Sequence, residues 1–209
     1  MKRATSLVLA TLVMAALLVA AAVAQPTLQG ALSGTLGPGT YNVVGNCTVN
    51  AGAVLTIQPG TRLQFTGHFS LKVYGTLMAV GTAQDSIEFV RQYPNTTCEW
   101  GGIRFQSGAS ATSTVSYCLI EGARFQVYPD YNGGGLYTQN VGFTLSHSKI
   151  ANCYSSSGGG IYVHAAPVTI SDCIFLSNEA GNGGGIYLYN CNGAQVRNTI
   201  LAKNSSTST

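Results

Sequence analysis

Apolar residues recur at every second position in short runs along the chain, as in Leu55/Ile57, Leu63/Phe65, Leu71/Val73, Ile87/Phe89 and Ile103/Phe105. A period of two is strand spacing, not helix spacing. Pro59-Gly60, Gly67-His68, Gly75-Thr76 and Gly81-Thr82 separate the runs and predict turns between them. The same alternation returns in Val168-Thr169-Ile170, Cys173-Ile174-Phe175 and Ile186-Tyr187-Leu188.

The second half of the chain repeats itself. Gly133-Gly134-Gly135-Leu136-Tyr137 recurs as Gly158-Gly159-Gly160-Ile161-Tyr162 and as Gly183-Gly184-Gly185-Ile186-Tyr187, each time after 25 residues. On that anchor Val115, Leu145, Ile170 and Val196 form one apolar column and Ile120, Ile150, Phe175 and Leu201 another. Cys118, Ser148, Cys173 and Thr199 form a column of small residues between them. Three strand-like segments per repeat predict an all-β chain, a right-handed single-stranded parallel β-helix with three strands per coil of about 25 residues. One coil cannot bury its own apolar side, so stability has to come from stacking coils at a rise of about 4.8 Å.

Turn chemistry fits this arrangement. Tyr117, His147, Asp172 and Asn198 share a column between the first two strands, and Cys153, Asn178 and Asn204 share one after the second. Asn and Asp tolerate left-handed backbone geometry, and stacked Asn amides can form a ladder. Asn178 and Asn204, with Cys118 and Cys173, are therefore the expected structural ladder positions, and Asn152 stands one place out of that register.

The chain divides into a leader at 1–24, a cap with less regular opening coils at 25–110, and regular coils at 111–209. Lys2 and Arg3 precede an apolar run from Leu7 to Val19, and Ala22-Val23-Ala24 then meets Gln25-Pro26. That order is the grammar of a secretory signal peptide cleaved after Ala24. No second long apolar run follows, so no transmembrane segment is expected after its removal. Without Lys2 and Arg3 the chain carries 8 basic against 7 acidic side chains, with no clustered Lys/Arg stripe, which argues against nucleic acid as a partner. Charged residues are 8% of the chain, beside 26 glycines, as suits many short strands and tight turns.

The run from Tyr41-Asn42-Val43-Val44-Gly45 through Ala53-Val54-Leu55-Thr56-Ile57-Gln58-Pro59-Gly60-Thr61, then Gly75-Thr76-Leu77 and Trp100-Gly101-Gly102-Ile103, resembles the opening coils of secreted bacterial right-handed β-helix repeat proteins. The Gly-Gly-Gly-Ile-Tyr repeats are similar to those of the pectin-lyase-like superfamily and of polymorphic outer-membrane protein passengers. The resemblance spans nearly the whole mature chain. It implies a secreted or cell-surface location, bacterial extracellular or outer-membrane. Because the superfamily hosts lyases, hydrolases and adhesins, it implies no single activity.

Polysaccharide hydrolysis needs two carboxylates at a set separation, and uronate elimination needs acidic calcium ligands with a base. The mature chain offers only Asp85, Glu88, Glu99, Glu121, Asp130, Asp172 and Glu179, with none from Tyr131 to Ser171. Glu121, Arg124 and Asp130, near one bend, are the remaining catalytic candidates. The bland alternative for them is a solvated insertion, since the first regular coil is five residues longer than the next. His147, His164 and Cys153 have no recognised metal-ligand spacing, so no metal and no cofactor is expected, calcium entering only with a lyase.

The six cysteines could oxidise in an exported chain. Cys118 and Cys173 lie two coils apart, about 9.6 Å, beyond the roughly 7 Å limit for a bridge, and read as buried thiols. The pairing of Cys47, Cys98, Cys153 and Cys191 stays open. Asn46, Asn95 and Asn204 each fit the glycosylation pattern, which most bacteria do not use. Alternation puts Tyr137, Tyr162 and Tyr187 on the outer face, as a ligand-binding stripe for sugar rings or as a structural ladder.

The last coil stops at Ser205 to Thr209 without a cap, which leads us to expect a truncated frame lacking a C-terminal anchoring domain. Two functions follow from different classes. One is a noncatalytic adhesive, recognition or structural solenoid that binds polysaccharide or a surface protein. The other is a polysaccharide lyase or glycoside hydrolase with its active site in further coils.

Overall fold

The computed structural model describes residues 24–93, 99–125 and 131–207. The leader read at 1–24, apart from Ala24, lies outside the described residues, as do Cys98, Asp130 and the Asn95 glycosylation pattern. No helix among the described residues is long and apolar enough to cross a membrane.

The chain is all-β and winds as a right-handed parallel β-helix of three faces. The first face stacks Gly34–Leu36, Val54–Ile57, Thr76–Val80, Thr114–Ser116, Thr144–Ser146, Thr169–Ser171 and Gln195–Arg197. The second stacks Thr61–Phe65, Ile87–Arg91, Cys118–Glu121, Lys149–Ala151, Ile174–Leu176 and Ile200–Ala202. The third stacks Leu71–Val73, Ile103–Phe105, Leu136–Gln139, Ile161–His164 and Ile186–Tyr189. The long strand Gly39–Val49 bends through the corner and begins both the second and the third face, pairing with Thr61–Phe65 at one end and with Leu71–Val73 at the other. Thr27–Ala31 lies beneath it. The later coils add a short three-stranded sheet, Tyr154–Ser157, Glu179–Asn182 and Ser205–Ser206, so three strands per coil becomes three plus a short one there.

The predicted columns are in register: Val115 pairs with Leu145, Leu145 with Ile170 and Ile170 with Val196. Ile120, Ile150, Phe175 and Leu201 pair likewise. These side chains point inward and, below the last coil, join one core that runs from Val43 to Phe175. Trp100, fully buried, stacks on Phe65 at 4.2 Å, and its indole N–H donates to Glu121 O at 2.8 Å. Phe105 stacks on Phe143 at 4.4 Å.

Single left-handed residues make the corners. Tyr117, His147, Asp172 and Asn198 have φ of 49, 48, 56 and 45°, and this column stands as read. After the second face the left-handed residues are Gly122, Asn152, Ser177 and Lys203, one place before the column expected from sequence. Asn152 shares this left-handed column and stands one place before the ladder of Asn178 and Asn204, as read. The residues that follow it and its equivalents, Ala123, Cys153, Asn178 and Asn204, occupy the inner side of the corner, where a short polar side chain can reach the backbone of the next coil.

Candidate functional site

On the third face alternation sends Leu136 and Thr138 inward and Tyr137 and Gln139 outward. Strand register then stacks Tyr137 on Tyr162 at 5.7 Å and 6°, and Tyr162 on Tyr187 at 5.6 Å and 19°. Tyr137 is 5% and Tyr162 8% exposed, each covered by its neighbours in the column. Rings spaced near the coil rise cover each other's faces and leave no gap for a sugar between them. A second outward column holds Gln139, His164 and Tyr189. The Tyr137 hydroxyl hydrogen-bonds Gln139 Oε1 at 2.8 Å, and Tyr189 lies 5.0 Å from His164 and 6.4 Å from Tyr187. Tyr189, exposed, is the most accessible ring of this group.

Below the tyrosines the same outward column continues as Arg104 and Lys72. Arg104 is 2% exposed. Its guanidinium lies 3.5 Å from the Phe125 ring centroid and 4.3 Å from that of Tyr137, and it donates to the carbonyls of Gly133 and Asn132, both at 3.0 Å. It fastens the inserted bend to the third face.

The corner between the first and second faces carries a second aromatic pair, at positions where the repeat alone predicts turn residues. Tyr117 and His147 stack at 4.6 Å and 17°. They line a pocket of about 320 Å³ with Thr82, Ser86, Leu119 and Lys149. The left-handed backbone at both residues turns their side chains out of the corner, while Thr82 and Ser86 come from a loop in the irregular part of the chain, where no repeat gave a register. Aromatic surface beside hydroxyls and an ammonium is the chemistry that holds a sugar.

Glu121 and Arg124 bond to different coils. Glu121 accepts a hydrogen bond from Asn152 Nδ2 at 2.8 Å. Arg124 pairs with Glu99 at 3.0 Å and lies over the Tyr154 ring at 4.2 Å. Both tie successive coils together at the bend, and Asp130 lies outside the described residues. Glu121 does share a groove of about 260 Å³ with Glu88, whose carboxylate is ion-paired with Arg62. Glu88 lies upstream of the regular repeats, so sequence alignment could not pair the two.

Cys47, Cys118, Cys153, Cys173 and Cys191 are free thiols. Cys118, Cys153 and Cys173 each follow a left-handed corner residue and donate to the carbonyl two residues back, at 3.3, 3.2 and 3.1 Å. Ser148 does the same at 2.7 Å. Burial pushes the thiols of Cys47 and Cys153 up to about 11 and about 12, and those of Cys118 and Cys173 also upward, so none of these four is an activated nucleophile. His147 sits at the first corner, Cys153 at the second and His164 on the third face, and no three ligating groups converge among the described residues. Asn178 and Asn204 form an amide ladder, with Asn178 accepting from Cys153 N and Asn204 from Asn178 N, both at 3.0 Å. Asn204 Nδ2 also donates to Phe175 O, so its amide is occupied within the fold.

The family model described as a right-handed beta helix region matches residues 95–208. No curated protein and no solved structure matches the chain. The match covers more than half of the chain and falls on coils whose parallel register and corner geometry are those described above; the chain belongs to the right-handed beta helix region family.

Proposed function

We propose that this chain is a noncatalytic recognition solenoid, secreted or held at the cell surface, that binds polysaccharide on its outer faces. The observation that carries the reading is the corner pocket, where the stacked Tyr117 and His147 rings stand beside the hydroxyls of Thr82 and Ser86 and the Lys149 ammonium. Its volume of about 320 Å³ suits one sugar unit. The Tyr187 and Tyr189 rings offer a second, shallower contact on the third face. The secretory grammar of residues 1–24 supports export, and a bacterial cell surface is where an anchored solenoid would meet glycans. A surface protein is the alternative partner.

Polysaccharide cleavage is the competing reading, favoured by the groove shared by Glu88 and Glu121. Calorimetry and turnover assays on neutral and acidic polysaccharides, with and without calcium, separate the two. Binding without turnover, weakened about tenfold by Tyr117→Asn, is expected. Asn already occupies this left-handed column at Asn198, so the variant removes the ring and keeps the corner. Turnover abolished by Glu88→Gln or Glu121→Gln would overturn the noncatalytic reading.

A further inference from the structure

On the outer side of the third face, Asn46, His68, Ser70, Lys72 and Phe125 enclose a depression of about 150 Å³. We propose that it is an anion subsite, which takes the carboxylate or sulfate group of an acidic sugar.

The polar groups around it are arranged as donors. Asn46 Oδ1 accepts the backbone N–H of Ser70 at 2.9 Å, which fixes the amide and leaves its NH2 for a ligand. Lys72 supplies an ammonium and Ser70 a hydroxyl, His68 adds an imidazole, and no carboxylate lines the depression among the described residues. A site with donors on several sides and no acidic wall selects an oxyanion over a neutral hydroxyl, because every donor then makes a charge-assisted bond.

Local charge points the same way. Lys72 pairs in register with Arg104, so the outward column is basic at two successive coils. Lys72 has no ion-pair partner among the described residues. An anion bound beside it would give the Lys72 ammonium that partner. The wall is aromatic: Phe125 lies on the Arg104 guanidinium, and His68 stacks on Phe125 at 6.2 Å and 24°. The depression is too small for a whole sugar, but it holds one charged substituent while the sugar ring rests against the exposed His68 ring. This subsite lies on a different face from the Tyr117 pocket and rests on the glycan-binding reading only for the sugar that carries the anion.

The test is a titration of the isotope-labelled mature chain, at constant ionic strength, with glucuronate, glucose 6-sulfate, inorganic sulfate and glucose, following by NMR the backbone N–H of Ser70, which bonds Asn46 and is present in every variant. Glucuronate or the sugar sulfate should shift that signal and bind at least about tenfold more tightly than glucose, and which of the two does so identifies the anion. Lys72→Gln should weaken the response about tenfold or more, and Asn46→Asp, which keeps an acceptor for Ser70 but adds a negative charge, should abolish it. Tyr117→Asn should leave it unchanged, so failure of the corner pocket on neutral polysaccharides and failure of this subsite are separate results. Equal response to glucose and glucuronate, indifference to both variants, or inorganic sulfate binding as tightly as the sugar sulfate would overturn the proposal.

Discussion

Asn178 Nδ2 donates to Asn204 Oδ1 one coil away at 3.0 Å, and the same nitrogen reaches Ile150 O at 2.9 Å. Asn178 is fully buried, so its amide is what satisfies the Cys153 N–H and the Ile150 carbonyl at this corner. Asn178→Ala leaves the buried Cys153 N–H without a partner and removes a donor from Ile150 O, and should cost about 2–4 kcal/mol. Asn204→Ala, nearer solvent, should cost roughly 1 kcal/mol. Urea midpoints of the two variants check the ranking, and equal small losses would show that the ladder contributes little.

The repeated glycines are required by closeness of backbone. A Cβ at Gly159 would press into the carbonyl oxygens of Glu179 and Gly184, which belong to the coil above and cannot rotate away. Gly159→Ala should therefore break strand pairing and lose more than about 3 kcal/mol. Gly193 has φ of +83° but its nearest neighbour, Pro167 Cβ, is 3.8 Å away, so Gly193→Ala should cost only about 1–2 kcal/mol of backbone strain. Thermal melts of the two variants test whether space or dihedral freedom selects glycine at each site.

Alkali should unfold this chain through its thiols. Burial lifts the Cys153 thiol from an ordinary value of 9.0 to about 12 and that of Cys47 to about 11. The unfolded chain releases these protons above pH 9 and the folded chain keeps them. Stability is thus fully present below pH 9 and falls as pH rises toward 11–12, by about 1.4 kcal/mol per pH unit for each thiol. Cys153→Ala, with Ala123 as its precedent in the same column, should flatten the slope by one thiol. Urea unfolding at pH 8 and pH 10.5 measures it, and an unchanged slope in the variant would refute the assignment.

The repeat made the core legible, because inward columns must stay apolar and corner residues must tolerate a left-handed backbone. Val115, Leu145, Ile170 and Val196 could be aligned on those constraints alone. What escaped depends on contacts between coils that share no register. The Tyr117 pocket needs the loop at Thr82 to Ser86, and the depression beside Lys72 needs Phe125 to fold over the third face. Closure of the tyrosine faces follows from ring thickness against coil rise, which alternation does not encode. Arg104 could have been placed: Gly101-Gly102-Ile103-Arg104 aligns with Gly134-Gly135-Leu136-Tyr137, which carries the tyrosine column one coil further down.

Arg104 supplies the last prediction. A buried guanidinium that stacks on Phe125 and Tyr137 and holds the Gly133 and Asn132 carbonyls acts through its planar fork as much as through its charge. Arg104→Ala should cost about 2–4 kcal/mol and free the bend at residues 123–125 and 131–135. Arg104→Lys keeps the charge but cannot span both carbonyls while lying flat against two rings, so it should recover less than half of that loss. Hydrogen exchange at Gly133, whose N–H bonds Ser157 O at 2.9 Å, reports the bend separately from global stability. Faster exchange there in both variants, with the coils beyond residue 160 still protected, is the expected pattern; full rescue by lysine would mean that charge alone holds the bend and that the stacking is incidental.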